Sequence, residues 1–196
     1  MNEIRIAVFA SGQGSNFRRL LAAEQAGELG AGRISLLVSD QPEAPAISVA
    51  QAASVPVFAE HPRVYGDKRA WETRVLQELH GAGIELVVLA GFMRLIGPVL
   101  LTAYEGRMIN LHPSFLPEFK GKDAIGQALA AGVSETGVSV HYVSEALDGG
   151  QVIEQVRIAI DREADRASLE ARIHAMEHEL LPIVVRKLCQ KLAEEK

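Results

Sequence analysis

The sequence is poor in cysteine and in long apolar runs, and each shortage excludes a class of protein. Its single cysteine, Cys189, rules out an internal disulfide and a cysteine-based metal site, and it fits a reducing compartment. The longest apolar run, residues 86–93, is closed by Arg94 and is too short to cross a membrane.

An excess of positive charge is also missing. The 196 residues include 20 Lys and Arg against 25 Asp and Glu, a formal net charge of −5, so no global basic field exists that would hold nucleic acid. An anionic substrate must then be held by local dipoles or by a few placed cations. The first residues include an acid, Glu3, followed by only a short apolar stretch, unlike a signal peptide. We therefore expect a cytoplasmic protein without membrane or nucleic-acid partners.

What the sequence does contain is a regular alternation of short β-branched runs with segments long enough for crossover helices. Apolar residues make up 48% and charged residues 23% of the chain, an ordinary globular composition, and the length predicts one domain over residues 1–196. The alternation predicts a parallel sheet with helices on both faces. The predicted strands are 4–9, 34–38, 55–58, 84–90 and 107–111, and the predicted helices are 15–28, 42–53 and 67–81.

The pattern changes after residue 105. Two β-rich segments, 137–143 and 152–160, are joined by too few residues for a crossover helix, so we expect antiparallel neighbours. From Ser168 onward apolar residues recur at helical spacing, and Pro182 is expected to kink or interrupt that helix. The predicted fold is therefore α/β and Rossmann-like, with three layers, a mostly parallel central sheet and an antiparallel C-terminal part.

A glycine-rich turn follows the first predicted strand and opens the first helix. Residues 11–16 read SGQGSN, and small residues at a helix N-terminus let backbone amides hold a phosphate. A dinucleotide fingerprint would need glycine where Phe17 stands, and the lysine of a Walker A loop is absent. Asp40, at the end of the second strand, leaves a contact to a cofactor ribose open. We predict a phosphate site, with a plain tight turn as the alternative.

Two histidines lie one helical turn apart on the last predicted helix. His174 and His178 match the H-x-x-E-H pattern of the inverted zinc peptidases and have the i, i+4 spacing of a zinc pair. Those enzymes need a further acidic ligand well downstream, and little of the chain follows His178. A half-buried helix with partly exposed histidines is the favoured interpretation, so no metal site is predicted.

Asn110 and His112 lie two residues apart at the end of a predicted strand, so their side chains project the same way. Sites form at the carboxyl ends of such strands, and Asp148 lies in a glycine-flanked loop that is free to approach. An amide, an imidazole and a carboxylate can together stabilise an oxyanion, and the carboxylate favours the charged imidazolium. A Ser-His-Asp hydrolase is the rival, but the G-x-S-x-G elbow is missing. A structural turn with a loop histidine is the second alternative.

Four motifs, in order and at matching spacing, resemble those of the folate-dependent formyltransferase family, which includes the phosphoribosylglycinamide formyltransferases. They are SGQGSN at 11–16, LAGFMR at 89–94, NLHPSFLP at 110–117 and LDGG at 147–150. The resemblance covers nearly the whole chain. It implies transfer of a formyl group from 10-formyltetrahydrofolate to the amine of 5-phosphoribosylglycinamide in purine synthesis, with no metal.

The resemblance also implies a role for each matching residue. The catalytic residues are Asn110, His112 and Asp148, and the substrate phosphate is assigned to Gly14, Ser15 and Asn16. The ribose side of the nucleotide is assigned to His174, Ala175, Met176 and Glu177. The folate site is assigned to Lys68, Met93, Arg94, Leu95, Ile96, Asn110, Ser144, Glu145, Ala146, Leu147 and Asp148.

Two further expectations come with the resemblance. Lys68 stands where many members have an arginine, with Arg69 beside it, and a lysine keeps the charge but loses the two-pronged contact. The Leu116–Pro117 peptide is expected to be cis, above the base rate for such bonds.

Two relatives share the catalytic motif and remain as alternatives. Methionyl-tRNA formyltransferase adds a C-terminal tRNA-binding domain, and formyltetrahydrofolate deformylase adds an N-terminal regulatory domain. We expect neither addition in an acidic chain of 196 residues whose first strand begins at residue 4. A nucleotide-binding module without catalysis is the non-enzymatic alternative, and it leaves three of the four motifs unexplained. We expect small-molecule substrates and a monomer or homodimer.

Overall fold

The computed structural model describes residues 2–161 and 165–196 and has one seven-stranded sheet. The strands are β1 Ile4–Phe9, β2 Gly32–Ser39, β3 Val57–Ala59, β4 Leu86–Leu89, β5 Met108–His112, β6 Glu135–Tyr142 and β7 Val152–Ala159. Their order is β3-β2-β1-β4-β5-β6-β7. The pairs from β3 to β5 are parallel, and β6 is antiparallel to both β5 and β7. The predicted α/β sheet with an antiparallel C-terminal part is confirmed.

Helices cover both faces of the sheet. They are α1 Ser15–Gln25, α2 Pro45–Ala52, α3 Lys68–Gly81, α4 Pro98–Ala103, α5 Ala124–Ala131 and α6 Arg166–Glu194, with a 3-10 turn at Pro62–Tyr65. Alternation along β1 places Ile6 and Val8 in the core under α1, α2 and α6, whereas Ala7 and Phe9 lie in the core under α3 and α4. Two apolar cores on opposite faces make the three layers.

The last helix differs from its prediction. Pro182 was expected to kink or interrupt it, but α6 continues through the proline from Arg166 to Glu194, so the predicted interruption is wrong. Leu181, directly before the proline, and Val184, two residues after it, are buried in the core. Their packing outweighs the backbone hydrogen bond that the proline removes. Among the helices that the structure describes, none has the length and apolar character of a membrane span.

The order of the strands places the site. The sheet reverses its winding between β1 and β4, and ligands of open α/β sheets bind outside the carboxyl ends of the strands at such a point. The turn after β1 and the segment after β4 meet there, because the backbone N–H of Ser11 donates to the carbonyl oxygen of Gly91 at 3.1 Å. The end of β5 lies beside them, since Asn110 pairs with Leu89.

Candidate active site

Asn110 and His112 lie on β5, and the loop between β6 and β7 brings Asp148 to them. Nδ1 of His112 lies 3.5 Å from Oδ2 of Asp148. Nε2 of His112 donates to the carbonyl oxygen of Phe119 at 2.9 Å. Both ring nitrogens face acceptors, and His112 is buried. Each ring nitrogen thus lies within reach of an oxygen that can accept a hydrogen bond from it.

A second histidine, His141 on β6, completes the cluster and was not predicted. Its Nε2 lies 3.2 Å from Nδ2 of Asn110 and 3.6 Å from Oδ1 of Asp148. Its Nδ1 donates to the carbonyl oxygen of Tyr142 at 2.9 Å, so Nε2 is the ring nitrogen that faces Asn110 and Asp148. Asn110 and His141 are direct cross-strand neighbours. Only the register of β5 against β6 reveals this contact, and a single sequence does not contain that register.

Asp148 stays ionised between the two histidines. Burial raises the pKa of Asp148, but hydrogen bonds from His141 and the Gly121 N–H, with the charges of both histidines, outweigh burial and hold that pKa below its ordinary value. The Gly121 N–H lies 2.8 Å from Oδ2. Glycine is required nearby, because a Cβ at Gly150 would lie 1.8 Å from the carbonyl oxygen of Tyr142. The glycines of the LDGG motif thus allow the loop that carries Asp148 to lie directly against the end of β6.

Ser114, the serine of the hydrolase alternative, has a structural role. Its side chain is fully buried, and its hydroxyl donates to the carbonyl oxygen of Glu118 at 2.6 Å. Ser139 on β6 holds the same loop by donating to the Ser114 carbonyl oxygen at 2.7 Å and accepting from the Leu116 N–H at 3.0 Å. The Leu116–Pro117 peptide in this loop is cis, as predicted. The geometry therefore disfavours a serine nucleophile.

The glycine-rich turn has the form of an anion site. Gly14 is the N-cap of α1 with φ of 70°, and a Cβ there would lie 2.7 Å from Cβ of Ala46. No side chain of the described residues caps the first turn of α1, so its amides and the helix dipole are free to face a negative group. Ser15 is exposed at this end, whereas Asn16 is buried.

The glycine-rich turn at residues 11–16, or phosphate turn, is joined to helix α6 by one carboxylate. Glu177 is buried, and its Oε2 accepts from Nδ2 of Asn16 at 3.0 Å and from Nδ1 of His174 at 2.9 Å. The hydrogen bond to Glu177 raises the pKa of His174, and burial partly opposes it. Oδ1 of Asn16 is buried without a hydrogen-bond partner among the described residues. Among residues 2–161 and 165–196, no group of three or more His, Cys, Asp or Glu side chains is arranged to hold a metal ion.

The segments predicted to line the folate site expose large apolar side chains. Met93, Leu95 and Leu147 are 74%, 63% and 51% exposed, which is unusual for such residues. Met93 and Leu95 lie on the segment after β4, and Leu147 lies next to Asp148 in the loop between β6 and β7. Lys68 opens α3, and its Nζ lies 3.8 Å from the buried carboxylate of Glu72.

Asp40 does not leave its carboxylate free for a cofactor ribose. The residue is 1% exposed. It accepts hydrogen bonds from Ser11 Oγ at 2.5 Å and from Arg94 Nε at 2.7 Å. The open interpretation of Asp40 as a ribose contact is therefore wrong, because both oxygens already have protein donors.

The chain is similar to known formyltransferases along most of its length. Residues 4–185 match the family described as formyl transferase. The chain is 45% identical over 184 residues to phosphoribosylglycinamide formyltransferase of Bacillus subtilis (strain 168), covering 94% of each. The crystal structure of glycinamide ribonucleotide transformylase 1 from Geobacillus kaustophilus has a TM-score of 0.94 and 52% identity, covering 96% of this chain and all of that one. The crystal structure of phosphoribosylglycinamide formyltransferase from Bacillus halodurans has a TM-score of 0.91 and 44% identity, covering 94% of both chains.

Proposed function

The chain belongs to the formyl transferase family, and we propose that it transfers the formyl group of 10-formyltetrahydrofolate to the amine of 5-phosphoribosylglycinamide in purine synthesis. The observation that carries this proposal is one sheet edge with two features. An uncapped helix N-terminus follows β1, and an Asn110–His112–Asp148 cluster lies at the end of β5. The first feature suits a phosphate, and the second suits an acyl-transfer oxyanion.

The two halves of a single domain, residues 1–196, divide the substrates between them. The N-terminal half holds the nucleotide phosphate on the amides of residues 14–16, and Glu177 of α6 lies on the ribose side of the nucleotide. The C-terminal half holds the folate and supplies the catalytic groups. The exposed side chains of Met93, Leu95 and Leu147 cover the apolar rings of the folate, and Lys68 offers its charge to a carboxylate of the co-substrate.

Catalysis needs only positioning and charge in this scheme. The amine attacks the formyl carbon, a C–N bond forms, and the carbonyl oxygen becomes an oxyanion. Asn110 and imidazolium His112 stabilise that charge more than they stabilise the ground state, and ionised Asp148 keeps His112 charged. The bond from carbon to the folate nitrogen then breaks, and that nitrogen takes the proton that the amine loses. No covalent intermediate with the protein is needed.

Holding the two substrates together supplies the rest of the rate. A fixed amine beside a fixed formyl carbon removes the entropic cost of a two-substrate encounter. We place the reaction in the cytoplasm, and we assign the protein as a monomer or homodimer that acts on small molecules.

The acceptor assay tests the proposed function. The purified protein and 10-formyltetrahydrofolate are supplied with 5-phosphoribosylglycinamide, with water alone, or with charged methionyl-tRNA. We expect formylation of the glycinamide nucleotide only. Formate release without an acceptor would assign a deformylase instead, and formylation of the tRNA would assign the other relative. If the protein binds the nucleotide through its phosphate but transfers no formyl group, the result would assign a nucleotide-binding module without catalysis.

A further inference from the structure

Asp40 is a buried charge that the proposed chemistry does not use. It follows β2 at the carboxyl edge of the sheet and is 1% exposed. Oδ1 accepts from Ser11 Oγ at 2.5 Å, and Oδ2 accepts from Arg94 Nε at 2.7 Å and Gln41 Nε2 at 3.0 Å. Burying a carboxylate is costly unless such donors surround it. The position is therefore built around this charge.

The bonds of Asp40 join two segments that hold different substrates in the proposed function. Ser11 opens the phosphate turn, and its Oγ accepts from the Met93 N–H at 2.9 Å while donating to Asp40. Arg94 is the next residue of the segment after β4. One carboxylate oxygen thus reaches Met93 through Ser11, and the other holds Arg94 directly.

We propose that Asp40 is a positioning residue that fixes the phosphate turn against the folate-lining segment, and so places the amine of one substrate on the formyl carbon of the other. This inference rests on the proposed function. Each segment anchors one end of a bisubstrate arrangement, and the reacting atoms must approach to about 3–3.5 Å. A small shift between the segments separates those atoms without removing any group that binds either substrate.

Only a carboxylate satisfies all the donors at this position. Asparagine offers one acceptor oxygen, so its NH₂ group faces either the N–H donors of Arg94 and Gln41 or the Ser11 hydroxyl, which must then turn its proton away from residue 40. Burial raises the pKa of Asp40, but hydrogen bonds from Ser11, Arg94 and Gln41 outweigh burial and hold that pKa below its ordinary value. The carboxylate is therefore ionised at neutral pH.

The variant Asp40→Asn separates positioning from binding. We expect the single-turnover rate at saturating substrates to fall about 10- to 100-fold, the cost of a displacement near 1 Å. The affinities for 5-phosphoribosylglycinamide and for tetrahydrofolate, measured separately by calorimetry, should stay within about threefold. Glu24→Gln is the matched control, because Glu24 is a partly buried carboxylate paired with Arg33 at 3.2 Å and belongs to neither segment. It should leave rate and affinities unchanged.

Two outcomes in this assay overturn the inference. A normal turnover rate in Asp40→Asn shows that the carboxylate does not place the substrates. A rate that falls only in proportion to lost affinity or lost folded protein shows a structural role. Ser11→Ala adds a further check, since it breaks the same chain of bonds. Its loss and that of Asp40→Asn should not add in the double variant.

Amide hydrogen exchange tests the same link without any reaction. In the free protein we expect Asp40→Asn and Ser11→Ala to speed exchange of the Met93 amide about tenfold or more, with Glu24→Gln matching the wild type. Unchanged exchange of the Met93 amide in Asp40→Asn would contradict the role of Asp40 in joining the segments, whatever Ser11→Ala shows, because Ser11 accepts from that amide directly. A wild-type protein that transfers no formyl group fails the proposed function instead, and the exchange measurement still decides whether Asp40 joins the two segments.

Discussion

The phosphate turn and the catalytic cluster lie on the same edge of the sheet, but they are built differently. The turn is one continuous segment, residues 11–16, and the amides of residues 14–16 gain their direction from one left-handed glycine and one helix. The cluster consists of side chains from β5, β6 and the Asp148 loop, and it exists only when these three segments meet in the correct register. A local site tolerates change in distant segments, whereas an assembled site does not. Substitutions should therefore affect different kinetic constants at the two ends.

The largest effect is expected at the assembled end. Asp148→Asn should keep the fold and both substrates but lose about two to four powers of ten in turnover, because the neutral amide no longer keeps imidazolium beside the oxyanion. His112→Ala should do similar damage. The double variant should be no slower than the poorer single one, since the pair acts as a unit. The measurement is kcat at saturating concentrations of both substrates.

A surface carboxylate is the control for that series. Glu154 on β7 is paired with exposed Lys187, and Glu154→Gln should leave kcat unchanged. Fully additive losses in the double variant would show that His112 and Asp148 act independently. Near-normal turnover in Asp148→Asn would remove the residue from the mechanism.

A smaller loss is expected at His141, which orients the cluster. His141→Asn removes the ring that contacts both Asn110 and Asp148, so each loses a partner that fixes its position. We expect kcat to fall about 10- to 100-fold with both KM values little changed. His80→Asn, an exposed histidine on α3, is the control. An unchanged kcat in His141→Asn would show that Asn110 and Asp148 keep their positions without the His141 ring.

At the phosphate turn, the expected effect is on affinity for the glycinamide nucleotide. Gly14→Ala puts a Cβ at a left-handed φ and 2.7 Å from Ala46, so the turn must shift. We expect KM for the glycinamide nucleotide to rise about tenfold or more and the free energy of unfolding to fall by about 1–3 kcal/mol, while KM for the folate is unchanged. Gly12→Ala is the control, because a Cβ at Gly12 has open space around it. Equal effects on both KM values would erase the distinction between the two ends.

The same contrast explains what the sequence could predict. β1 and the start of α1 at Ser15 were predicted because both follow from local patterns, apolar alternation and a glycine turn at a helix N-terminus. Asn110, His112 and Asp148 were singled out from strand ends, a glycine loop and family motifs. The distances between these side chains could not be predicted, because they depend on how β5 and the Asp148 loop come together in the folded chain.

The failures all involve contacts between distant segments. His141 was missed because its partner Asn110 is 31 residues away and is set only by strand register. A ribose contact of Asp40 was left open because its donors, Ser11 and Arg94, reach it from two other loops. Pro182 was expected to kink or interrupt α6, but the helix is not interrupted, because burial of the apolar side chains of α6 outweighs the low helix propensity of proline.

The smallest effect concerns stability against pH near the phosphate turn, where two histidines of α6 should behave oppositely. The Glu177 hydrogen bond raises the pKa of His174, so this contribution is fully present below the unfolded pKa, about 6.5, and is lost as the pH rises through the folded pKa. Burial lowers the pKa of His178, so its neutral form is favoured and stability rises with pH. His174→Gln should lower Tm at pH 5.5 by at most about 1–2 °C, since the side chain is 54% exposed, and should have less effect at pH 8. Relative to the wild type, His178→Gln should raise Tm at pH 5.5 and should have less effect at pH 8. Thermal melts of both variants across this range check the signs, and the same sign for both would mean that Glu177 does not hold His174 in its charged form.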